Sequence, residues 1–309
     1  MRNFISEDDI EQAILQKLEG DPFQYGILRC DPSPDKRELL PDGTGRSSKN
    51  ECVLPLILRE ALARLNPDIP GEKLEEIARD LCRDFSATDM TATNYKYYNQ
   101  IRNGIKISLR RNGKEDFDFV KLVDFDRPEN NTFTAVSQMW IQGRVYWRRP
   151  DVLIFINGLP MVFVELKNSI VKVEEAYNDN LKNYLRDIPN LFAFNQICVL
   201  SNGLETRLGA FNATYNHFFE WLKVDSEKER PDRQALKEAG TVGESSVRYF
   251  IDGLLQKGRL IDYIENFIMF RNQKNKIIAK NHQYFGVNNL MESVKNRAEL
   301  QGKLGVFWH

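Results

Sequence analysis

The stretch Asp151–Asn168, DVLIFINGLPMVFVELKN, constrains the fold more than any other part of the chain. Two apolar runs flank Asn157-Gly158, and an Asn-Gly pair between such runs is a strong hairpin signal, because the favoured two-residue turn needs positive φ at both central positions. Where the runs are densest, both faces are apolar, as in central strands covered on each side. The chain therefore reads as an α/β protein with helices flanking a sheet.

Other segments supply the remaining pieces. Ser6 followed by Glu7, Asp8 and Asp9 reads as an N-cap with an acidic first turn, and Ile10, Ile14, Leu15 and Leu18 recur at helical spacing behind it. Residues 22–50 carry most of the early Pro and Gly and read as an irregular connection, with helices over 51–65 and 71–84. Alternation on each side of Asn112-Gly113 predicts an antiparallel hairpin from about 104. QMWIQGRVYW reads as a further central strand, residues 173–187 as a helix ending before Pro189, and LFAFNQICVLSNG as another buried strand. The polar, charged stretch 226–245 is expected to be a linker between a domain at 1–225 and a helical segment at 246–309, which ends in the apolar, strand-like GKLGVFWH.

With 309 residues the chain has room for about two domains, and 43 basic against 44 acidic side chains exclude a general polycation. Nucleic-acid binding would have to come from a local patch. Cys30, Cys52, Cys82 and Cys198 show no zinc-ligand spacing and are expected to be free thiols. The acidic N-terminal segment is no secretory signal, and no run nears the ~18 apolar residues of a membrane span, so a cytoplasmic protein without membrane contact is expected.

The chemistry concentrates at the ends of the central strands. Glu165 and Lys167 project to the same side of their strand, and the hairpin brings Asp151 alongside them. Two carboxylates with the Leu166 carbonyl offer hard oxygen ligands suited to Mg²⁺, and the lysine can approach a reacting water or phosphate. The bland alternative is a cross-strand surface ion pair of Glu165 with Lys167. Arg148 and Arg149 before the strand, and Arg110 and Arg111 at the other turn, are candidates for neutralising phosphates. Tyr95, Tyr97 and Tyr98 read as packing residues.

Pro150-Asp151 through Glu165-Leu166-Lys167 resembles the PD-(D/E)xK nuclease signature, and RRPDVLIFINGLPMVFVELKN resembles the nuclease region of the R (HsdR) subunits of type I restriction enzymes. NTFTAVSQMWIQG upstream, and YLRDIPNLFAFNQICVLSNGLETRLG with FFEWLK downstream, are similar to the same family in order and spacing. The resemblance implies a restriction-endonuclease-like mixed sheet flanked by helices. It implies Mg²⁺-dependent cleavage of double-stranded DNA, with Asp151, Glu165 and Lys167 catalytic and Asp151, Glu165 and the Leu166 carbonyl on the metal. Glu11, in the opening helix, is a candidate extra metal carboxylate. The family's QxxxY helix motif falls on Asn180 and Tyr184, with asparagine replacing glutamine, and these residues with Lys182 are candidate DNA contacts.

The C-terminal part resembles the start of a RecA-like motor domain. NKIIAKNHQYFGVNNL is similar to the adenine-recognising Q motif of superfamily 2 helicases, with Gln283 at the matching glutamine, while the alternative is that His282 and Gln283 cap a helix. No G-x-x-x-x-G-K-[ST] phosphate cradle is present, so a motor truncated before that loop is expected, and ATP binding is expected only in an intact subunit. The resemblance further implies methyltransferase (M) and specificity (S) subunits as partners. Two other functions are compatible with these residues: a related nuclease of DNA repair, and a DNA-binding or assembly module in which the three residues are structural.

Overall fold

The computed structural model describes residues 4–111 and 114–302. Helix α1 (Glu7–Glu19) starts at a reciprocal cap, in which Ser6 Oγ accepts the Asp9 N–H and the Asp9 carboxylate accepts the Ser6 N–H. Strand β1 (Gly26–Arg29), helices α2 (Pro55–Leu65), α3 (Gly71–Leu81) and α4 (Met90–Asn103), and the hairpin β2 (Ile105–Arg111) and β3 (Lys114–Val120) follow. Next come β4 (Phe133–Ser137), the two-residue strands β5 (Ile141–Gln142) and β6 (Trp147–Arg148), and the pair β7 (Val152–Ile156) and β8 (Leu159–Leu166). Helices α5 (Val173–Glu175) and α6 (Lys182–Asp187) are joined by a π-helical segment, Ala176–Leu181. Strands β9 (Ile197–Ser201), β10 (Thr206–Gly209) and β11 (Phe219–Glu220) precede α7 (Arg233–Lys237), α8 (Ser246–Leu254) and α9 (Lys257–Asn266). The hairpin β12 (Ile268–Arg271) and β13 (Asn275–Ile278) and helix α10 (Asn281–Lys295) complete the described chain.

Seven strands form one mixed sheet in the order β1-β4-β7-β8-β9-β10-β11, with β1 parallel to β4 and β8 parallel to β9. The two parallel pairs are those whose connections contain helices, as a parallel crossover requires. Alternate residues of the central strands serve two apolar layers. Val152, Ile154, Val162, Val164 and Leu166 face one layer with Ile10, Ile14 and Leu15 of α1 and Phe250 and Leu254 of α8, while Leu153, Phe155, Phe163 and Leu200 face another with Leu181, Tyr184 and Phe192. β7 and β8 are buried along their whole length, as their apolar composition predicts.

The register at the centre of the sheet is set by two local features. Asn157 (φ 52°) and Gly158 (φ 81°) make the turn with left-handed backbone at both positions. The turn is itself buried: Asn157 donates to the Leu122 carbonyl (2.9 Å) and accepts the Thr132 N–H (2.8 Å), and Gly158 O accepts the Leu54 N–H. Phe155 pairs with Pro160 but Ile154 pairs with Val162, so Met161 is an extra residue in a β-bulge and Val152 faces Val164. One step further along that register, Asp151 stands opposite Glu165. Without the bulge it would stand opposite Val164.

Several expectations are corrected. Residues 26–29, assigned to an irregular connection, form a strand whose partner β4 is far away in sequence, a pairing that no local pattern announces. QMWIQGRVYW makes only the small β5–β6 hairpin outside the main sheet, and β4 is the neighbour of β7. The segment from 246 is not wholly helical, because β12 and β13 form a hairpin within it. Asn112-Gly113 and nearly all of GKLGVFWH lie outside the described residues, although β2 and β3 pair as that turn predicts. Tyr97 and Tyr98 are packing residues, and Tyr98 OH donates to the Ile268 carbonyl. The cysteines are free, and among the described residues no helix is long and apolar enough to cross a membrane.

Candidate active site

The site lies where β7 begins and β8 ends. Glu165 is 2% exposed on a strand otherwise lined by apolar side chains. The backbone N–H of Leu166 donates to Asp151 Oδ2 at 2.7 Å, which ties the start of one strand to the end of the other. Lys167 Nζ lies 3.7 Å from Glu165 Oε1 and donates to the Leu166 carbonyl at 3.1 Å. Asp151, Glu165, Leu166 and Lys167 are therefore brought together.

The helix after β8 supplies a second wall. Asn180 Nδ2 donates to Glu165 Oε1, and the Tyr184 hydroxyl lies 3.5 Å from that oxygen and 3.2 Å from the Arg149 carbonyl. Both residues thus meet the same carboxylate oxygen, with Asn180 in the π-helical segment and Tyr184 in α6. Such π-bulges occur frequently at functional sites. The asparagine reaches Glu165 despite being one methylene shorter than glutamine.

Gln138, which no sequence motif marks, belongs to the same cluster. Its side-chain amide donates to Glu11 Oε2 and lies 3.4 Å from Asp151 Oδ1, and its backbone N–H donates to the Asp151 carbonyl at 3.0 Å. Glu11 of α1 is joined to the catalytic candidates through this amide. Gln138 has φ 57°, a conformation that non-glycine residues adopt only when their surroundings enforce it. A glutamine after an apolar strand carries no sequence signal of that conformation.

The electrostatics follow from burial. Removal from water pushes the Asp151 carboxyl up to about 6 against the pull of the Leu166 amide and Lys167, and pushes Glu11 up to about 7. Glu165 is raised well above the usual carboxylate range, first by burial and then by repulsion from Asp151. Glu165 Oε2 and Gln138 Oε1 are buried without a hydrogen-bond partner. Among the described residues no cluster of three or more His, Cys, Asp or Glu side chains is arranged to hold a metal.

The other candidates sit around this centre in different ways. Arg148 is held by the buried Asp187 carboxylate (Nε at 2.8 Å), and the Arg149 guanidinium lies 5.1 Å over Trp140 and donates to the Pro32 carbonyl. Lys182 is exposed on α6, donating to Asn178 Oδ1 at 2.8 Å. Gln283 lies in the first turn of α10. Its exposed side chain accepts the Lys280 N–H at 2.8 Å and caps α10.

Comparison with known proteins finds relatives along the whole chain. Residues 4–217 match the model of the family described as type I restriction enzyme R protein N terminus. The chain is 31% identical over 99% of its length to the type I restriction enzyme HindI endonuclease subunit of Haemophilus influenzae, covering 28% of that protein. It is 29% identical over 97% of its length to the putative type I restriction enzyme MjaIXP endonuclease subunit of Methanocaldococcus jannaschii, covering 29% of it. The chain thus spans less than a third of the length of these relatives. It belongs to the family of type I restriction enzyme R protein N termini.

Proposed function

We propose that residues 1–225 form a PD-(D/E)xK nuclease domain that hydrolyses phosphodiester bonds of double-stranded DNA, as the nuclease part of the R subunit of a type I restriction system. The observation that carries this reading is the orphaned Oε2 of Glu165, buried next to Asp151 and Lys167 at a strand end. An unpartnered buried carboxylate oxygen is costly unless a ligand completes it, and hard oxygens suit a divalent cation of the Mg²⁺ kind. The carboxylates, raised by burial and, at Glu165, by repulsion from Asp151, fit that cation for the same reason. Asp151, Glu165 and the Leu166 carbonyl would hold it, with Glu11 steadied through Gln138. When bound, it supplies a Lewis acid for the phosphoryl oxygen.

The remaining work falls to the chain's own side chains. Lys167 sets a positive charge beside the pair, where negative charge develops on the phosphoryl oxygens. Asn180 and Tyr184 fix the Glu165 carboxylate, and Lys182 with Arg149 supplies positive charge to the DNA backbone. Residues 226–245 are read as a linker and 246–309 as the start of a RecA-like motor, in which Gln283 would meet adenine in an intact, ATP-driven subunit. Partner methyltransferase and specificity subunits and a cytoplasmic setting belong to the same reading.

The test is cleavage of supercoiled plasmid by the full-length subunit assembled with its partners, with Mg²⁺ and ATP. Asp151→Ala, Glu165→Ala and Lys167→Ala are each expected to abolish cutting while translocation-coupled ATP hydrolysis persists. Cutting at the wild-type rate by any of the three variants would overturn the assignment.

A further inference from the structure

We propose that the tip of the β5–β6 hairpin, Arg144-Val145-Tyr146, is a rigid wedge that enters a groove of duplex DNA beside the active site. This rests on the nuclease reading above and adds a contact surface to it. Val145 is 78% exposed and Tyr146 54%, on a connection of only four residues between two-residue strands. A flexible loop would fold such side chains back. This one cannot, because it is clamped at three points. The Gly143 N–H donates to the Tyr146 carbonyl at 2.9 Å, closing the turn, and the Gln142 N–H donates to the Lys49 carbonyl at 2.9 Å. The backbone at Gly143 lies so close to α6 that an added Cβ would sit 1.9 Å from the Asp187 carbonyl oxygen.

Charge identifies the occupant. The Asp187 carboxylate, 3% exposed, binds Arg148 and Arg186 together, and the two guanidinium groups lie 5.9 Å and 6.0 Å from the Tyr146 ring. With exposed Arg144, three arginines and one aspartate surround an apolar point, a net positive rim around a wedge. Proteins that insert into a DNA groove combine an apolar side chain with flanking arginines in this way. The hairpin is also placed for the task, since Arg149, just past β6, gives its carbonyl to the Tyr184 hydroxyl that lies against Glu165. A duplex seated on the tip would have its backbone held next to the carboxylates.

The experiment measures binding of the 309-residue chain to a fluorescein-labelled 30-base-pair duplex by anisotropy in EDTA, so that neither metal nor cleavage enters. Val145→Ser combined with Tyr146→Ala is expected to weaken binding about tenfold with unchanged melting temperature, and Arg144→Ala to lower the slope of log K against log salt by about one. Variants that bind as the wild type does would overturn the wedge and leave the tip to a protein partner, as would a wild-type chain without duplex affinity. Plasmid cleavage by the assembled wild-type subunit is scored separately: a cutting enzyme with an indifferent hairpin sinks the wedge alone, whereas an enzyme that never cuts sinks the nuclease reading.

Discussion

Asp151 Oδ2 accepts the backbone N–H of Leu166 at 2.7 Å, so the residue that opens one central strand also holds the end of the next. The carboxylate is thereby both a structural tie and a member of the charged pair. Burial acts against it in the second role, and that opposition is measurable.

Asp151 and Glu11 have raised carboxyls, at about 6 and about 7 against ordinary values of 3.8 and 4.5. For raised acids, the stability they contribute is fully present below the ordinary values and is lost as pH rises through the folded ones. In EDTA, the wild-type melting temperature is expected to fall between about pH 4 and pH 7. Asp151→Asn keeps one acceptor for Leu166 and flattens that fall. Differential scanning calorimetry across the range decides it, and a parallel decline in the variant would remove Asp151 as a source.

Mg²⁺ or Mn²⁺ is expected to raise the melting temperature of the wild type, with about 3 kcal/mol of stabilisation at a hundredfold excess over Kd. Glu165→Gln leaves the fold intact but loses most of that response. Isothermal titration of metal into both proteins is the check, and equal binding would detach the cation from Glu165.

Asn180→Ala removes the amide that donates to Glu165 Oε1. A hydrogen bond to a charged group contributes about 1.5–3 kcal/mol, so cleavage is expected to drop by about ten- to a hundredfold. Because that donation favours the ionised form, its loss moves the acid limb of the pH–rate profile to higher pH, and Asn180→Gln restores it. A uniform loss with no change in the profile would reduce Asn180 to a packing role.

Gly158→Ala is expected to destabilise by about 3 kcal/mol. Its φ is 81°, and an added Cβ would lie 2.6 Å from the Leu54 carbonyl oxygen and 2.8 Å from the Leu58 nitrogen. Urea denaturation reads the loss directly, and a neutral substitution would contradict the buried turn.

Lys276 on β13 is 4% exposed, with Nζ 2.8 Å from Gln196 Oε1, 3.1 Å from Asn94 Oδ1 and 2.5 Å from the Asn195 carbonyl. It joins the C-terminal hairpin to α4 and to the approach to β9. Lys276→Ala orphans the Asn94 and Gln196 side-chain oxygens, while the Asn195 carbonyl keeps the Asn94 amide, and is expected to cost about 3 kcal/mol, with faster amide exchange concentrated in β12 and β13. Exchange that accelerates evenly over the chain would show that the lysine is not a local latch.

Features that depend on neighbours in the chain can be read from the order of the residues alone. The cap at Ser6, the Asn157-Gly158 turn, the apolar strands on either side of it, and the acidic and basic residues at their ends were all legible, because caps, turns and side-chain alternation act over a few residues. Which strands pair, and in what register, follows only from contacts across the folded chain. β1 joins β4 across more than a hundred residues, and the bulge at Met161, with no residue signature, turns Asp151 from Val164 toward Glu165. The left-handed backbone at Gln138, the meeting of Asn180 and Tyr184 on one oxygen, and the close approach of Gly143 to Asp187 are of the same kind. These features are selected by burial and close packing across the sheet, where the energy of a residue depends on partners that its own segment does not contain.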